Sequence, residues 1–226
     1  DKLRACAHTT ADAPRNLSSA STPPCESCTA ARIRKAPHPG SLDTPAPEPG
    51  KLHVDIKEFV LSVYGHRYAV FAIDEYSRYV FIEIIKLKSE IVDAIKRIKA
   101  AFVAVVATPV DSDGRPLARP RVRWVHSDRE GGLMSHAFKE FRADEAIHHS
   151  VSPPHDHDLN PIAERIIGVI SEASTAIRHH SDAPAIYWPY IVAYATDWHN
   201  AMVSGTGSST ADANISPFQR LTLRPP

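Results

Sequence analysis

Cysteine is scarce in this chain: Cys6, Cys25 and Cys28 all fall within the first 28 of 226 residues. The expected core is therefore free of cysteine and has no disulfide framework, which favours an intracellular compartment. An excess of one charge is also lacking, because 26 Lys and Arg balance 26 Asp and Glu. Strong nonspecific DNA binding needs Lys and Arg to neutralise phosphates, so this balance counts against it. The 13 histidines add little positive charge at neutral pH. No apolar run approaches the roughly 18 residues that mark a membrane span, and no signal peptide is visible, so no membrane partner is expected. Internal repeats are missing too. The chain starts at Asp1 without a Met and stops at Pro226, as expected of a segment of something longer.

What remains is an ordinary globular composition, 43% apolar and 23% charged, enough for one well-buried domain plus an appendage. Residues 1–50 are rich in Ala, Ser, Thr and Pro. Five prolines between Pro37 and Gly50 mark residues 37–50 as an extended linker. From residue 51 the pattern changes. Lys51–Val63 reads as a strand, Tyr64-Gly65-His66-Arg67 as a turn, and Tyr68–Ile73 and Tyr79–Ile85 as two further strands rich in Val, Ile, Phe and Tyr. Ser89 can cap a helix whose apolar face is Ile91, Ile95, Ile98, Phe102 and Val105.

A polar insertion, Thr108–Pro120, leads to a fourth strand, Arg121–Ser127. A short helix near Ser135–Ala143 and a short strand near Ala146–Ser150 follow. Residues 152–158 are too rich in Pro and Asp for regular structure. Asn160 as N-cap and Pro161 at the first helical position then start a helix to about Arg178. A last helix is expected over Ala185–Asn200. The order β-β-β-α-β-α-β-α-α predicts an α/β fold, a mixed sheet with helices on both faces.

Three carboxylates stand out by position. Asp55 lies in the first strand, Asp128 follows the apolar run Val122–Ser127, and Glu164 lies on the first turns of the helix begun at Asn160. The interval from Asp128 to Glu164 holds 35 residues, 129–163. Two strands and a helix that each deliver a carboxylate are a means of holding Mg²⁺ at a phosphodiester. Such a centre asks little covalent chemistry of the protein.

Local sequence sharpens this reading. Tyr68–Tyr79 contains Asp74-Glu75-Tyr76-Ser77-Arg78, Lys86–Glu90 leads into a helix, and His126-Ser127-Asp128 closes a strand. Ser152–Arg165 keeps Pro154, Asn160, Ala163, Glu164 and Arg165 of an ungapped block; Trp188 and Asn200 mark a later helix, and Ser216-Pro217-Phe218 a tail. In these blocks residues 50–226 resemble a copia-type long-terminal-repeat retrotransposon integrase, of the retroviral integrase superfamily. The resemblance implies a ribonuclease H-like mixed five-stranded sheet flanked by helices. It also implies that Asp55, Asp128 and Glu164 are catalytic ligands of Mg²⁺ or Mn²⁺. The implied reactions are 3′-end processing and strand transfer of element DNA into target DNA, carried out by a homo-oligomer in the nucleus after a cytoplasmic particle stage.

By the same resemblance, residues 1–36 are a remnant of an N-terminal zinc module, with Cys25 and Cys28 as half of a tetrahedral site. Residues 51–204 are the catalytic core and residues 205–226 a C-terminal extension. His155, His157, Asn160 and Arg165 are the expected DNA contacts.

The chain also departs from the family pattern. Arg129-Glu130-Gly131-Gly132-Leu133 replaces the usual Asn-Gly-Gly-Glu-Phe, and Pro161 stands where Gly is usual. Arg129 beside Asp128 could form an ion pair and compete with a cation. A catalytically silent integrase-like fold, acting in nucleic-acid binding or assembly, is therefore the alternative expectation. A ribonuclease H-like nuclease that cuts without joining is a third.

Overall fold

The structure is a computed structural model and describes residues 46–106, 120–152, 160–203 and 215–224. Five strands form one sheet: β1 (Lys51–Glu58), β2 (Tyr68–Asp74), β3 (Val80–Ile85), β4 (Trp124–Ser127) and β5 (His148–Val151). Their order is β3-β2-β1-β4-β5. β1 pairs antiparallel with β2 and β2 with β3, while β1–β4 and β4–β5 are parallel. Among the described residues five α-helices accompany them: α1 (Ile91–Val105), α2 (His136–Asp144), α3 (Pro161–Ser181), α4 (Trp188–Ala201) and α5 (Pro217–Thr222). No described helix is long and apolar enough to cross a membrane.

Strand periodicity assigns the two faces. On β1, Leu52 and Val54 are buried in a core with Ile91, Ile95, Ile98 and Phe102 of α1. The alternate residues Lys51, His53, Asp55 and Lys57 therefore point to the opposite face. There Ala69, Phe71 and Ile73 of β2 pack against Ala163, Ile166, Ile167 and Ile170 of α3 and Trp188, Val192 and Ala195 of α4. Helices thus cover both faces, and the sheet is the expected mixed five-stranded one.

Several boundaries differ from the sequence expectation, each for a local reason. β1 stops at Glu58 rather than Val63, because the Phe59 amide bonds to the Arg67 carbonyl and the Val63 amide to Ile186 in the α3–α4 connection. Ser89 caps nothing. It sits inside a 3₁₀ turn, Lys88–Glu90, and Glu90 takes the N-cap position of α1 while its carboxylate accepts from the Lys86 amide. β4 begins at Trp124 rather than Arg121. The carbonyl of Gly50 accepts from both the Arg123 and Trp124 amides, and Gly50 itself has φ +116°, in the range where glycine is favoured. A β-carbon there would lie 2.5 Å from the Arg121 carbonyl oxygen, so no other residue fits without moving backbone.

Motif residues at the rim of the fold have structural work. Buried Asp74 accepts from the Gly50 amide and from both the amide and the hydroxyl of Ser77, which shapes the β2–β3 turn and lets Arg78 adopt φ +64°. Burial nonetheless raises the Asp74 carboxyl above its ordinary range, partly offset by those bonds. Trp188 stacks on Phe59 with ring centroids 4.2 Å apart and donates from its indole to the Val60 carbonyl. Ser216 and Gln219 form a reciprocal capping box at the start of α5.

Candidate active site

Parallel pairing of β1 with β4 brings the first two carboxylates together. The ladder ends at Val54 opposite Ser127, so the next residue on each strand is an aspartate, Asp55 and Asp128. Asp55 is half-buried, and its Oδ1 accepts from the Ile56 amide at 2.8 Å. Burial raises its carboxyl most; the Ile56 bond and Lys57 oppose this, while the charges of Asp128 and Glu130 raise it further. Asp128 itself is exposed. A half-buried carboxylate with an acidic neighbour fits the donor chemistry of a hard divalent cation, whose charge would relieve both the desolvation and the repulsion.

The peptide of Asp128 is held from beneath. Ser127, fully buried, donates its hydroxyl to the Asp128 carbonyl at 2.8 Å, and its Oγ lies 2.9 Å from His149 Nε2. Since the hydroxyl proton serves Asp128, the ring donates from Nε2 to Ser127. His149 is edge-on to Phe138, 5.1 Å between centroids. Burial lowers its pKa to about 4, helped by the charges of Arg142, His126 and His148.

This has a pH consequence. Folded His149 sits below its ordinary 6.5, so the unfolded chain takes up the proton first. Its contribution to stability is complete above about pH 6.5 and is lost as pH falls through about 4. In urea melts of the metal-free chain, His149→Asn should lose less stability than wild type across that window. Parallel curves would contradict the assignment.

Glu164 lies on the first turn of α3, exposed, its amide bonded to the Asn160 carbonyl at 3.1 Å. Asn160 occupies the N-cap position as expected, but its side chain does not cap the helix. It is buried at 7% exposure and faces inward: Nδ2 donates to the Val54 carbonyl at 3.3 Å and Oδ1 lies 2.8 Å from His53 Nδ1. Leaving the cap unmade forgoes about 1 kcal/mol; Pro161 lessens the loss by removing one amide that needs a partner. The expected DNA contact at Asn160 is thus an interior side chain. Arg165 is exposed, while His155, His157, Cys25 and Cys28 lie outside the described residues.

Among the described residues no group of three or more His, Cys, Asp or Glu is placed to hold a metal ion. The structure therefore brings Asp55 and Asp128 together and does not gather Glu164 with them. Arg129 is exposed and pairs with no acid among the described residues; the ion pair formed beside Asp128 is instead Glu130 with Lys88, at 3.1 Å.

Sequence reasoning assigned no role to a buried network behind the pair. His53 Nε2 lies 2.7 Å from Glu75 Oε2, which also takes Lys51 Nζ at 2.7 Å. Burial alone would raise the Glu75 carboxyl, but hydrogen bonds and charges from His53 and Lys51 outweigh it and hold it at about 2. A signal was present: His53 is two residues from Asp55, hence on the same face of β1.

No protein-family model matches the chain. It is 25% identical over 203 residues to the retrovirus-related Pol polyprotein from transposon RE2 of Arabidopsis thaliana, covering 89% of this chain. It is 27% identical over 162 residues, 72% of this chain, to that from transposon RE1 of the same plant. The chain spans only 13% and 10% of those polyproteins. Among solved structures, a chain of the simian T-cell lymphotropic virus intasome in complex with PP2A regulatory subunit B56 gamma aligns with TM-score 0.58 and 18% identity, over 89% of this chain and 64% of that one. The HTLV-2 integrase catalytic core domain, in complex with magnesium in a trimeric form, aligns with TM-score 0.51 and 16% identity, over 76% and 97%. Sequence and fold point the same way: the chain is similar in sequence to retrovirus-related Pol polyproteins of plant transposons, and its mixed five-stranded α/β fold is that of retroviral integrase catalytic cores, a ribonuclease H-like fold.

Proposed function

We propose that this domain is a metal-dependent polynucleotidyl transferase that processes the 3′ ends of element DNA and joins them to target DNA. The observation that carries the reading is the Asp55–Asp128 juxtaposition at the end of the β1–β4 ladder, in a fold shared with an integrase core in complex with magnesium. Asp55 and Asp128 would hold Mg²⁺ or Mn²⁺, with Glu164 as the third ligand. When bound, the ion supplies Lewis-acid stabilisation of the attacking and leaving oxygens of the phosphodiester. The chain's own task is positioning. The end of β4 presents Asp128 at the surface where DNA can reach it, and exposed Arg165 on α3 would take a backbone phosphate. DNA, a homo-oligomeric assembly, and a nuclear site of action after a cytoplasmic particle stage belong to the same proposal. His155 and His157 are proposed as phosphate contacts, and Cys25 with Cys28 as half of a zinc site.

The test is joining of a duplex that carries the element's terminal sequence to a second duplex. Joined product should form with Mg²⁺ or Mn²⁺, vanish with chelator and be lost in Asp128→Ala. Equal performance of wild type and Asp128→Ala would overturn the enzyme reading, and cleavage without joining would indicate a nuclease. A second reading, a silent integrase-like assembly module, is favoured by one observation: Glu164 does not complete a three-ligand group among the described residues.

A further inference from the structure

A chain of short contacts connects the Asp55 segment to the Glu164 turn. Asn160 Nδ2 bonds to the carbonyl of Val54, the residue before Asp55, and the Asn160 carbonyl accepts the Glu164 amide. Behind Asn160 stands His53, with Nδ1 on Asn160 Oδ1 and Nε2 on Glu75 Oε2. With the amide nitrogen of Asn160 on Val54, its oxygen faces the ring, and the imidazole bridges Asn160 on its Nδ1 side to Glu75 on its Nε2 side. Glu75 is anchored in turn: its amide donates to the Lys51 carbonyl, and its carboxylate takes Lys51 Nζ and the Ala46 amide. His53, Glu75 and Asn160 are all buried, at 6%, 6% and 7% exposure. Buried networks in which every member has a partner hold one geometry firmly, and a missing member leaves costly unpaired groups.

Two features separate this arrangement from ordinary packing. Asn160 sits where its side chain would normally cap α3, yet it is spent on β1. Its bond also lands on Val54, the last β1 residue in the ladder with β4 and the neighbour of Asp55. The start of α3 is thereby registered against the strand that carries the first carboxylate.

We propose that His53 and Asn160 are positioning residues, which set the first turn of α3, and Glu164 with it, against the Asp55 segment of β1. The proposal rests on the reading of Asp55, Asp128 and Glu164 as ligands of one metal centre. Neither His53 nor Asn160 touches the ion or DNA in this scheme. They act through Glu164, in the way outer partners orient the ligands of a metal site.

The test uses the full chain and Mn²⁺ alone, with free Mn²⁺ read by electron paramagnetic resonance, in wild type, Asp55→Asn, Glu164→Gln, Asn160→Ala, and Asn160→Ala combined with Glu164→Gln. Asn160→Ala should weaken Mn²⁺ binding about 10–100-fold, as losses of outer partners do. The combined variant should bind no more weakly than Glu164→Gln, because a positioning residue has nothing left to position. A merely structural role would weaken both backgrounds equally. Should Asn160→Ala not fold, His53→Gln takes its place, since its amide can still donate to Glu75 while the ring nitrogen that meets Asn160 is gone. Wild-type affinity in the positioning variant, or full additivity with Glu164→Gln, overturns the proposal. Failure of wild type to bind Mn²⁺, or indifference of binding to Asp55→Asn, would instead overturn the metal-centre reading.

Discussion

Asp55→Asn should make the metal-free chain more stable while abolishing its response to Mn²⁺. Burial and the charges of Asp128 and Glu130 raise the Asp55 carboxyl, so its ionised form is a liability in the empty fold at neutral pH. The sign follows from linkage. A carboxyl whose folded value lies above its unfolded one favours the fold at low pH, and that advantage is lost as pH rises through the folded value. Asparagine removes the charge and keeps an oxygen for the Ile56 amide. The expected gain is on the order of 1 kcal/mol, about 2–4 °C in melting temperature. Wild type should gain about 2.7 kcal/mol when Mn²⁺ is present at 100 times its Kd, whereas Asp55→Asn should gain nothing. Joining activity should drop at least 10²–10³-fold, roughly the scale of losing one preorganised electrostatic group. Calorimetry with and without Mn²⁺ checks both halves; a metal-free variant less stable than wild type would contradict the electrostatic account.

Asn200→Ala should be the most damaging change away from the site. Asn200 is buried in α4 and makes both hydrogen bonds of a strand residue: its Oδ1 accepts from the Val80 amide and its Nδ2 donates to the Val80 carbonyl, at 2.8 and 2.9 Å. It thus supplies a pair of ladder bonds to β3, the edge strand. Alanine leaves two buried backbone groups without partners, at about 1–3 kcal/mol each, for a total of roughly 2–6 kcal/mol. A fall in melting temperature of about 5–15 °C is expected. Asn200→Asp should not restore it, because a second oxygen would face the Val80 carbonyl. A loss under about 1 kcal/mol in denaturant melts would mean that water or a neighbour replaces the bonds.

Strand and helix identities were legible because Val, Ile and Phe recur at periods of two or about 3.6, and β1 and α1 obey them. The pairing of Asp55 with Asp128 was legible in outline, since each stands at a fixed place on its strand. The work done by Asn200 and Asp74 was not. Their likeness to a family pattern marked them, but their partners are backbone atoms brought near only by folding. Asn160 shows the same limit more sharply. Its position announced a helix start, and its side chain is spent on β1 because His53 and Val54 offer partners there. His53 and Glu75 lie 22 residues apart in sequence and within 2.7 Å in space, a contact that no local pattern encodes.

The strongest test of the metal centre is a crystal of the chain soaked with Mn²⁺ and measured for anomalous scattering. A peak should lie between the carboxylates of Asp55 and Asp128, within bonding distance of oxygens from both, with Glu164 turned toward it. No peak there, or one held by the histidines of β4 and β5 instead, would contradict the assignment of this site to phosphodiester chemistry.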